Sequence, residues 1–588
     1  MLARSKILAA AIAAAMLFSS SACGSAAPAV TEAPETASMM PETAAEPSEV
    51  ASEAAPEPAY DGPVGLSKYS EIVRPTFARM ASLDPKFKEG QSYENNIWVT
   101  EYRDVLGIEL DTIWSAEGPD AYNEKLQLSI VSGDVPDIFV CNSAQFTSLV
   151  NAGMLEPLES VVEEWAIPLV AENLQADGGE GIRQATIDGN LYGLPQASVG
   201  AGAFQFLFMR EDWRVKLGLE VPKTMDDLYA VAKAFVEQDP DGNGIDDTWG
   251  LGISNKPFET FFTYRGFFNG FGAYMKQWIN NNGVLEDGII QPEMKLALAE
   301  LNKYYEEGLI DPEFVTKDSM AVSADAISGK VGLHFGEWWV QTWPLPDGVK
   351  LGQDWKAYTI PFAASNSEKK LGGVAKLLGR YVVKKGYEHP EALVKMYNLF
   401  QERVMSQNYD TTIYKGDGTY DFQGLAPIAP VIGVDRNVYD WGFVTKAVDA
   451  KDQSLLAPGN ADQIDKFTKV MAYLDGNTPF VEGLTDEQLN DNTDYYNNYR
   501  VHYGPEAIMG LLDYYNRSGI FKLDAFYGPD TPAMLDNAAQ LQSNAEEMII
   551  NIVTGAEDLD YFDEFVSEWK LNGGEQMIKE VNEWYNAQ

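Results

Sequence analysis

The stretch GAFQFLFMREDWRVKLGLEVPKTMDDLYAVAKAFVEQD, Gly202–Asp239, decides the fold class. Gly202–Arg210 is almost wholly apolar, as a strand buried on both faces requires. Glu211–Leu219 then reads as a helix. Thr224 stands as an N-cap before an amphipathic helix, since its hydroxyl can accept an orphan backbone N–H of the first turn. The same alternation runs outward in both directions. Asn96–Leu110 predicts a helix that leads into the strand Gly107–Ser115. Asp120–Gly133 carries apolar residues at helical spacing, and Asp134–Cys141 is a buried strand opened by Pro136. Ser143–Leu158 returns to helix and stops near Gly153. Ala185–Gln196 holds the turn Asp188-Gly189-Asn190, a hairpin signal. Gly329–Trp339 is strand then turn, and Glu388–Val404 is a helix with Pro390 in its first turn. Strands alternating with helices predict an α/β fold with mostly parallel sheets.

The chain has 588 residues, enough for two or more lobes and a large core. Its 45% apolar and 12% aromatic content suits a globular body. A formal charge of −45 argues against nucleic acid, whose binding depends on Lys and Arg neutralising phosphates. The same sign is poor for steering an anionic substrate, unless a local basic pocket overrides it. Two cysteines, Cys23 and Cys141, exclude a disulfide scaffold or a cysteine-rich metal framework. Cys141 reads as a buried free thiol. Neither a Walker A pattern nor H-E-x-x-H is present.

The N-terminus reads as a secretory signal peptide over residues 1–22. Arg4 and Lys6 precede the apolar run Ile7 to Phe18, which is too short to span a bilayer as an ordinary helix. Ser20–Ser25, SSACGS, resembles the bacterial lipobox, with Ser20 where that motif usually has Leu. The resemblance implies that Cys23 carries lipid; the competing reading is plain secretion with an incidental cysteine. Gly24 to Gly65 carries seven Glu, one Asp and no Lys or Arg among Ala, Pro and Ser. Such a segment buries too little apolar surface to fold, and predicts an extended, self-repelling tether over residues 23–65.

IVSGDVPDIFV, IDGNLYGLPQ, LFMREDWRVKLGLEVPKTMDDL, GKVGLHFGEWW and KKGYEHPEALVKMYNLF follow one another at distances that resemble the extracellular solute-binding proteins of bacterial ABC importers. The likeness is to the large lipoprotein branch that handles oligosaccharides. The C-terminal DYFDEFVSEWKLNGGEQMIKEVNEWY extends it over nearly the whole mature chain. What the resemblance implies is a two-lobed, periplasmic-binding-protein-like (type II) α/β fold with a ligand cleft between the lobes. Residues 66–205 and 379–430 would form lobe 1, and 206–378 the first part of lobe 2. Residues 431–588 would be a mainly helical part packing on both lobes. Hinge crossings are expected near Ala203–Arg210 and Leu377–Val383, with Arg210 and Asp212 as an ion pair beside the hinge.

Asp239–Gly250, DPDGNGIDDTWG, sets Asp239, Asp241, Asn243 and Asp247 at alternate positions around Gly244. Side chains so spaced can converge on one hard cation, with the Ile245 carbonyl as a further ligand. The twelfth place, a bidentate Glu in an EF-hand, is Gly250, so a switching EF-hand is not expected. The resembling family often carries such a loop as a structural calcium clip. Some members have Glu one place after the last Asp, where this chain has Thr248, leaving Asp246 or water to complete the shell. The competing reading is a metal-free acidic turn.

Sugars present C–H faces and hydroxyl edges, so their sites pair aromatic platforms with polar groups. Trp338 matches the place where maltodextrin-type binders set a stacking tryptophan, with Glu337 beside it as a hydroxyl acceptor. If the strand continues, Trp338 and Trp339 alternate, one buried and one facing the cleft. Asn96 and Trp98, Asn142 and Gln145, and Gln196 are candidates at strand ends of lobe 1, where open α/β sheets bind ligands. Helix capping is the competing reading for the amides. Tyr264 and Trp278 belong to an aromatic-dense stretch whose spacing fits a packed helix face, from which either could reach the cleft.

Three functions remain open. The first is a lipid-anchored monomer on the outer face of the bacterial cell membrane, which captures an oligosaccharide by hinge closure and delivers it to the transmembrane subunits of an ABC permease. The second is the same fold binding another solute, such as a peptide. The third is a glycan-acting enzyme, which requires a positioned carboxylate pair that no motif selects.

Overall fold

The computed structural model describes residues 62–587 except 83–84, 86, 176–178, 197–203, 276, 374–376, 378, 407–424, 431–435, 458–459 and 529. Cys23, the signal segment and the tether up to residue 61 lie outside the described residues. Residues 60–588 form one compact unit. Among the described residues no helix is long and apolar enough to cross a membrane.

Two sheets organise this unit. The first runs in the order Asp111–Glu117, Thr76–Ala81, Ile138–Cys141, Arg380–Val383, Leu194–Pro195. The second runs Trp355–Tyr358, Phe206–Arg210, Val331–Gly336, Trp249–Leu251. Each has its own core. Phe77, Trp98, Leu126, Phe139 and Tyr397 lie in the core of the first. Phe206, Phe208, Trp213, Phe235, Phe267 and Leu333 lie in that of the second. Core membership changes between Leu194 and Phe204, between Leu371 and Tyr381, and between Ile428 and Val438. The chain therefore passes from one lobe to the other three times.

The expectation of mostly parallel sheets is corrected. Thr76–Ala81 is parallel to both its neighbours, but Arg380–Val383 is antiparallel to both of its own. Phe206–Arg210 is antiparallel to Val331–Gly336 and to Trp355–Tyr358, and only Trp249–Leu251 pairs parallel in that sheet. The crossings explain the reversal. A strand that enters a lobe from the other one starts at the seam and runs outward, against strands that end there. Both entering strands are buried at every position, and apart from Arg210 and Arg380 their residues are apolar or aromatic. Of the two segments the sequence suggested for crossings, most residues lie in sheet strands, Phe206–Arg210 and Arg380–Val383, so the first two changes of core come at or just before their starts.

Local signals hold well elsewhere. Thr224 caps Met225–Glu237 in a capping box with Asp227, and the helix buries Leu228, Val231, Ala232 and Phe235. Gly332 lets this helix lie close to the sheet, since a Cβ there would collide with the Phe235 ring. The hairpin Thr186–Ile187/Asn190–Leu191 turns at Asp188 (φ 50°) and Gly189 (φ 78°), the positive angles of a type I′ turn. Cys141 is a buried thiol pushed up to about 12 by burial. Arg210 and Asp212 do pair, at 2.6 Å, but at the outer end of their strand rather than at the seam. The C-terminal helices from residue 436 onward bury Ile508, Leu512, Met548 and Phe562 in the second core, so they pack chiefly on that lobe.

Candidate ligand-binding cleft

The register of the two sheets locates the cleft. Gly336 pairs with Phe206 and Tyr358 with Leu207, so two strands of the second sheet end where the chain enters that lobe. Cys141 and Pro195 both pair with Arg380, the first strand residue after the return crossing. The carboxyl ends of these strands therefore face the seam between the lobes, the place where open α/β sheets receive ligands.

On the second lobe the strand stops at Gly336, and Trp338–Gln341 forms a 3₁₀ turn. Strand alternation therefore does not apply, and Val340 and Gln341 are the buried positions of the turn. Trp338 and Trp339 are both half-buried. Trp339 stacks on Trp343 at 5.9 Å, and Phe261 approaches both rings at 5.4 and 5.6 Å. Trp343 keeps 48% of its surface exposed, so the cluster is an aromatic wall and not a closed core. The Trp339 indole Nε1 donates to Glu337 Oε2 at 3.0 Å, and Arg265 Nη1 stands 3.7 Å from Glu337 Oε1. Burial pushes the Glu337 carboxyl up, while the indole and Arg265 pull it back. Burial likewise pulls the Arg265 guanidinium down. A half-shielded carboxylate beside open rings can accept hydroxyl hydrogen bonds while a sugar face lies on the aromatics.

Most of the amides and rings named from sequence turn out to be engaged in caps or cores. Asn96 caps its helix by accepting from Trp98 and Val99 N–H, and its Nδ2 donates to the Ser92 and Tyr93 carbonyls. The strand before it is Thr76–Ala81, well upstream of Ser92. Trp98 has no exposed surface and stacks on Phe400 at 5.1 Å. Asn142 and Gln145 form a reciprocal capping box, and Gln145 Nε2 is taken by the Asn123 carbonyl. Each is a cap because Asn at a strand–helix junction satisfies orphan donors. Gln196 is half-buried at the crossing, where its N–H donates to Gly379. Tyr264 is fully buried with its hydroxyl donating to Ser254 O, so it does not reach the cleft. Trp278 packs edge-on against Phe526 at the wall of a separate 510 Å³ cavity in the second lobe. Of the residues named in advance, Glu337 and Trp338 stand just past the end of Val331–Gly336, and both are half-buried.

Sequence reasoning missed a second cluster. A 140 Å³ cavity is lined from lobe 1 by Ser143, Arg183, Gln184, Asp188 and Arg380, and from the C-terminal region by Tyr527 and Trp584. The Arg183 guanidinium lies 3.2 Å over the Tyr527 ring, and Tyr527 meets Trp584 edge-on at 4.5 Å. This contact spans the seam. Its members are more than 300 residues apart in the chain, so no local pattern announces them.

In the acidic loop, Gly242 and Gly244 N–H donate to Asp239, and Asn243 Nδ2 lies 2.7 Å from Asp241 Oδ2 and 3.1 Å from Asp247 Oδ1. Burial and the nearby Asp247 and Asp239 charges push Asp241 up. Thr248 is buried with its hydroxyl on the Phe235 carbonyl, so it is unavailable to a cation. Among the described residues no three or more His, Cys, Asp or Glu side chains are gathered as a metal cage. The Asn243 amide joins the carboxylates; the donor types suit calcium, but their closure on one point is incomplete.

Two lobes, three crossings and a seam lined by strand ends define a class of two-lobed α/β proteins whose ligand place lies between the lobes. The chain belongs to the bacterial extracellular solute-binding proteins, whose family model matches residues 88–392. It is 25% identical over 498 residues to the polygalacturonan/rhamnogalacturonan-binding protein YtcQ of Bacillus subtilis, covering 82% of this chain and 87% of that one. It is 30% identical over 236 residues to Lipoprotein LipO of the same organism, a match that covers 39% of this chain and 44% of that protein. The HMO binding ABC-transporter associated solute-binding protein from Bifidobacterium longum infantis shares the fold. Its TM-score is 0.55 at 18% identity, over 88% of this chain and 99% of that one. The alginate-binding protein AlgQ2, solved without calcium ion, also superposes, with a TM-score of 0.50 at 19% identity over 89% and 99% of the two chains.

Proposed function

We propose that this protein captures an extracellular carbohydrate, an oligosaccharide, and delivers it to the transmembrane subunits of an ABC permease. The observation that carries the reading is the aromatic cluster of Phe261, Trp339 and Trp343 beside Glu337, with the half-buried Trp338 next in the chain, set at the strand ends of the seam. Rings that are half-exposed beside a buried carboxylate suit a ligand with apolar faces and hydroxyl edges. The names of the relatives, which bind polygalacturonan or rhamnogalacturonan in one case, point the same way. Residues 66–205 with 379–430, and 206–378, are read as the two lobes, with 431–588 completing the second. The Arg183–Tyr527 contact already joins the two sides of the seam, and the sugar is read as held beside it when the lobes close. Lipid on Cys23 would keep a monomer at the outer face of the membrane, where two acyl chains suffice for stable anchoring. The loop of Asp239, Asp241, Asn243, Asp247 and the Ile245 carbonyl is read as a calcium clip that fixes the second lobe and takes no part in capture.

Tryptophan fluorescence tests the reading. Titration with an oligosaccharide panel should change the emission of the purified chain saturably for one glycan class, and Trp338→Ala should abolish much of the change. Saturable binding of peptides with no response to any glycan would overturn it.

A further inference from the structure

The seam-spanning cavity carries a charge opposite to that of the chain. The protein has 88 acidic and 43 basic residues, yet the described residues lining this cavity include two arginines and one carboxylate, Asp188. Arg380 is only 1% exposed. Its hydrogen bonds all go to neutral oxygens: Nη1 to Ser143 Oγ at 2.9 Å, and Nε and Nη2 to the Gln184 carbonyl at 3.0 and 2.9 Å. Burial pulls its guanidinium down to about 10, and no carboxylate offsets this. A buried cation without a counter-ion is costly, and proteins rarely keep one without a use. Arg183, an exposed residue, adds a guanidinium at the mouth, 3.2 Å over the Tyr527 ring, and Trp584 supplies a second ring surface.

We infer that this cavity is a subsite for an acidic sugar, with the Arg183 fork facing the carboxylate of a uronic acid unit, Arg380 supplying positive field from the wall, and Tyr527 and Trp584 flanking the ring. Guanidinium and carboxylate match as two parallel N–H···O bonds, which a hydroxyl cannot reproduce. The site is assembled only when lobe 1 meets the C-terminal region, so an anionic group placed there would also favour the closed form. An acidic ligand is thus compatible with a strongly acidic receptor, because recognition is local and the repelling charges lie elsewhere, screened beyond about 10 Å at ordinary salt.

This inference rests on the carbohydrate reading, and one titration separates the two. Calorimetry on the full chain would compare a panel of uronic acid oligosaccharides with their carboxyl-reduced counterparts, which keep the ring and lose the charge. At least one uronate should bind about tenfold or more tighter than its reduced form, with affinity falling as salt rises. Arg183→Met should lower the affinity of the acidic form by several-fold more than that of the reduced form, and Arg183→Lys should retain part of the preference. Equal binding of acidic and reduced forms, or an equal loss for both in Arg183→Met, would overturn the acidic subsite and leave the carbohydrate reading standing. Failure of every acidic and neutral glycan to bind would overturn both.

Discussion

Acid should unload stability from the second lobe through one residue, His334. Its ring is fully buried on Val331–Gly336, the strand that leads into Glu337 and Trp338. It stacks on Phe208 at 4.9 Å and lies 4.3 Å from Phe262 and 5.4 Å from Trp355, and neither ring nitrogen has a hydrogen-bond partner. Burial pulls its pKa from 6.5 to about 3, against a weaker pull of the Phe335 backbone toward the charged form. The unfolded chain takes a proton near 6.5, while the folded chain refuses it until near 3. Between those values the unfolded state binds more protons, so stability falls as pH falls. The slope is about 1.4 kcal/mol per pH unit, with the full contribution present above the upper value and lost below the lower one. Urea unfolding of the wild type and His334→Phe, from neutral pH down to about pH 4.5, isolates this slope from the carboxylates that both chains share. The larger ring costs about 1–3 kcal/mol in overpacking, equally at every pH. The two stability curves should converge as pH falls. Parallel curves over that range would refute the reasoning.

Other outcomes follow from the same geometry. Trp338→Ala should weaken glycan binding by about tenfold, the worth of one aromatic platform, with little change in melting temperature. Asn96→Ala should cost about 1 kcal/mol of stability as a lost cap and leave ligand affinity unchanged; an affinity loss without destabilisation would return Asn96 to the site. Calcium should raise the melting temperature of the wild type and not of Asp241→Ala, and a chelator without effect on the wild type would remove the clip.

The α/β class was legible because strand and helix periods differ, and because Thr224 and the Asp188-Gly189 turn announce themselves locally. Strand direction was not, since it depends on where the chain crosses between lobes. Glu337 and Trp338, proposed here for the cleft, could be picked out in the sequence because they follow directly from a recognisable strand. The alternation assumed for Trp338 and Trp339 failed because the strand stops at Gly336, a boundary that periodicity cannot fix. Asn96, Asn142 and Gln145 show why amides at strand ends mislead: the chemistry that would bind a hydroxyl is the same chemistry that caps a helix. Arg183, Arg380, Tyr527 and Trp584 were invisible in the sequence, because only the folded seam brings them together.

The central claim is that the protein binds a carbohydrate and leaves it intact. Its most direct test is a melting-temperature screen of the purified chain against a glycan panel, followed by analysis of the recovered glycan. A bound glycan at a hundred times its dissociation constant should stabilise the fold by about 2.7 kcal/mol and be recovered unchanged. Stabilisation by no glycan, or recovery of cleaved product, would contradict the account.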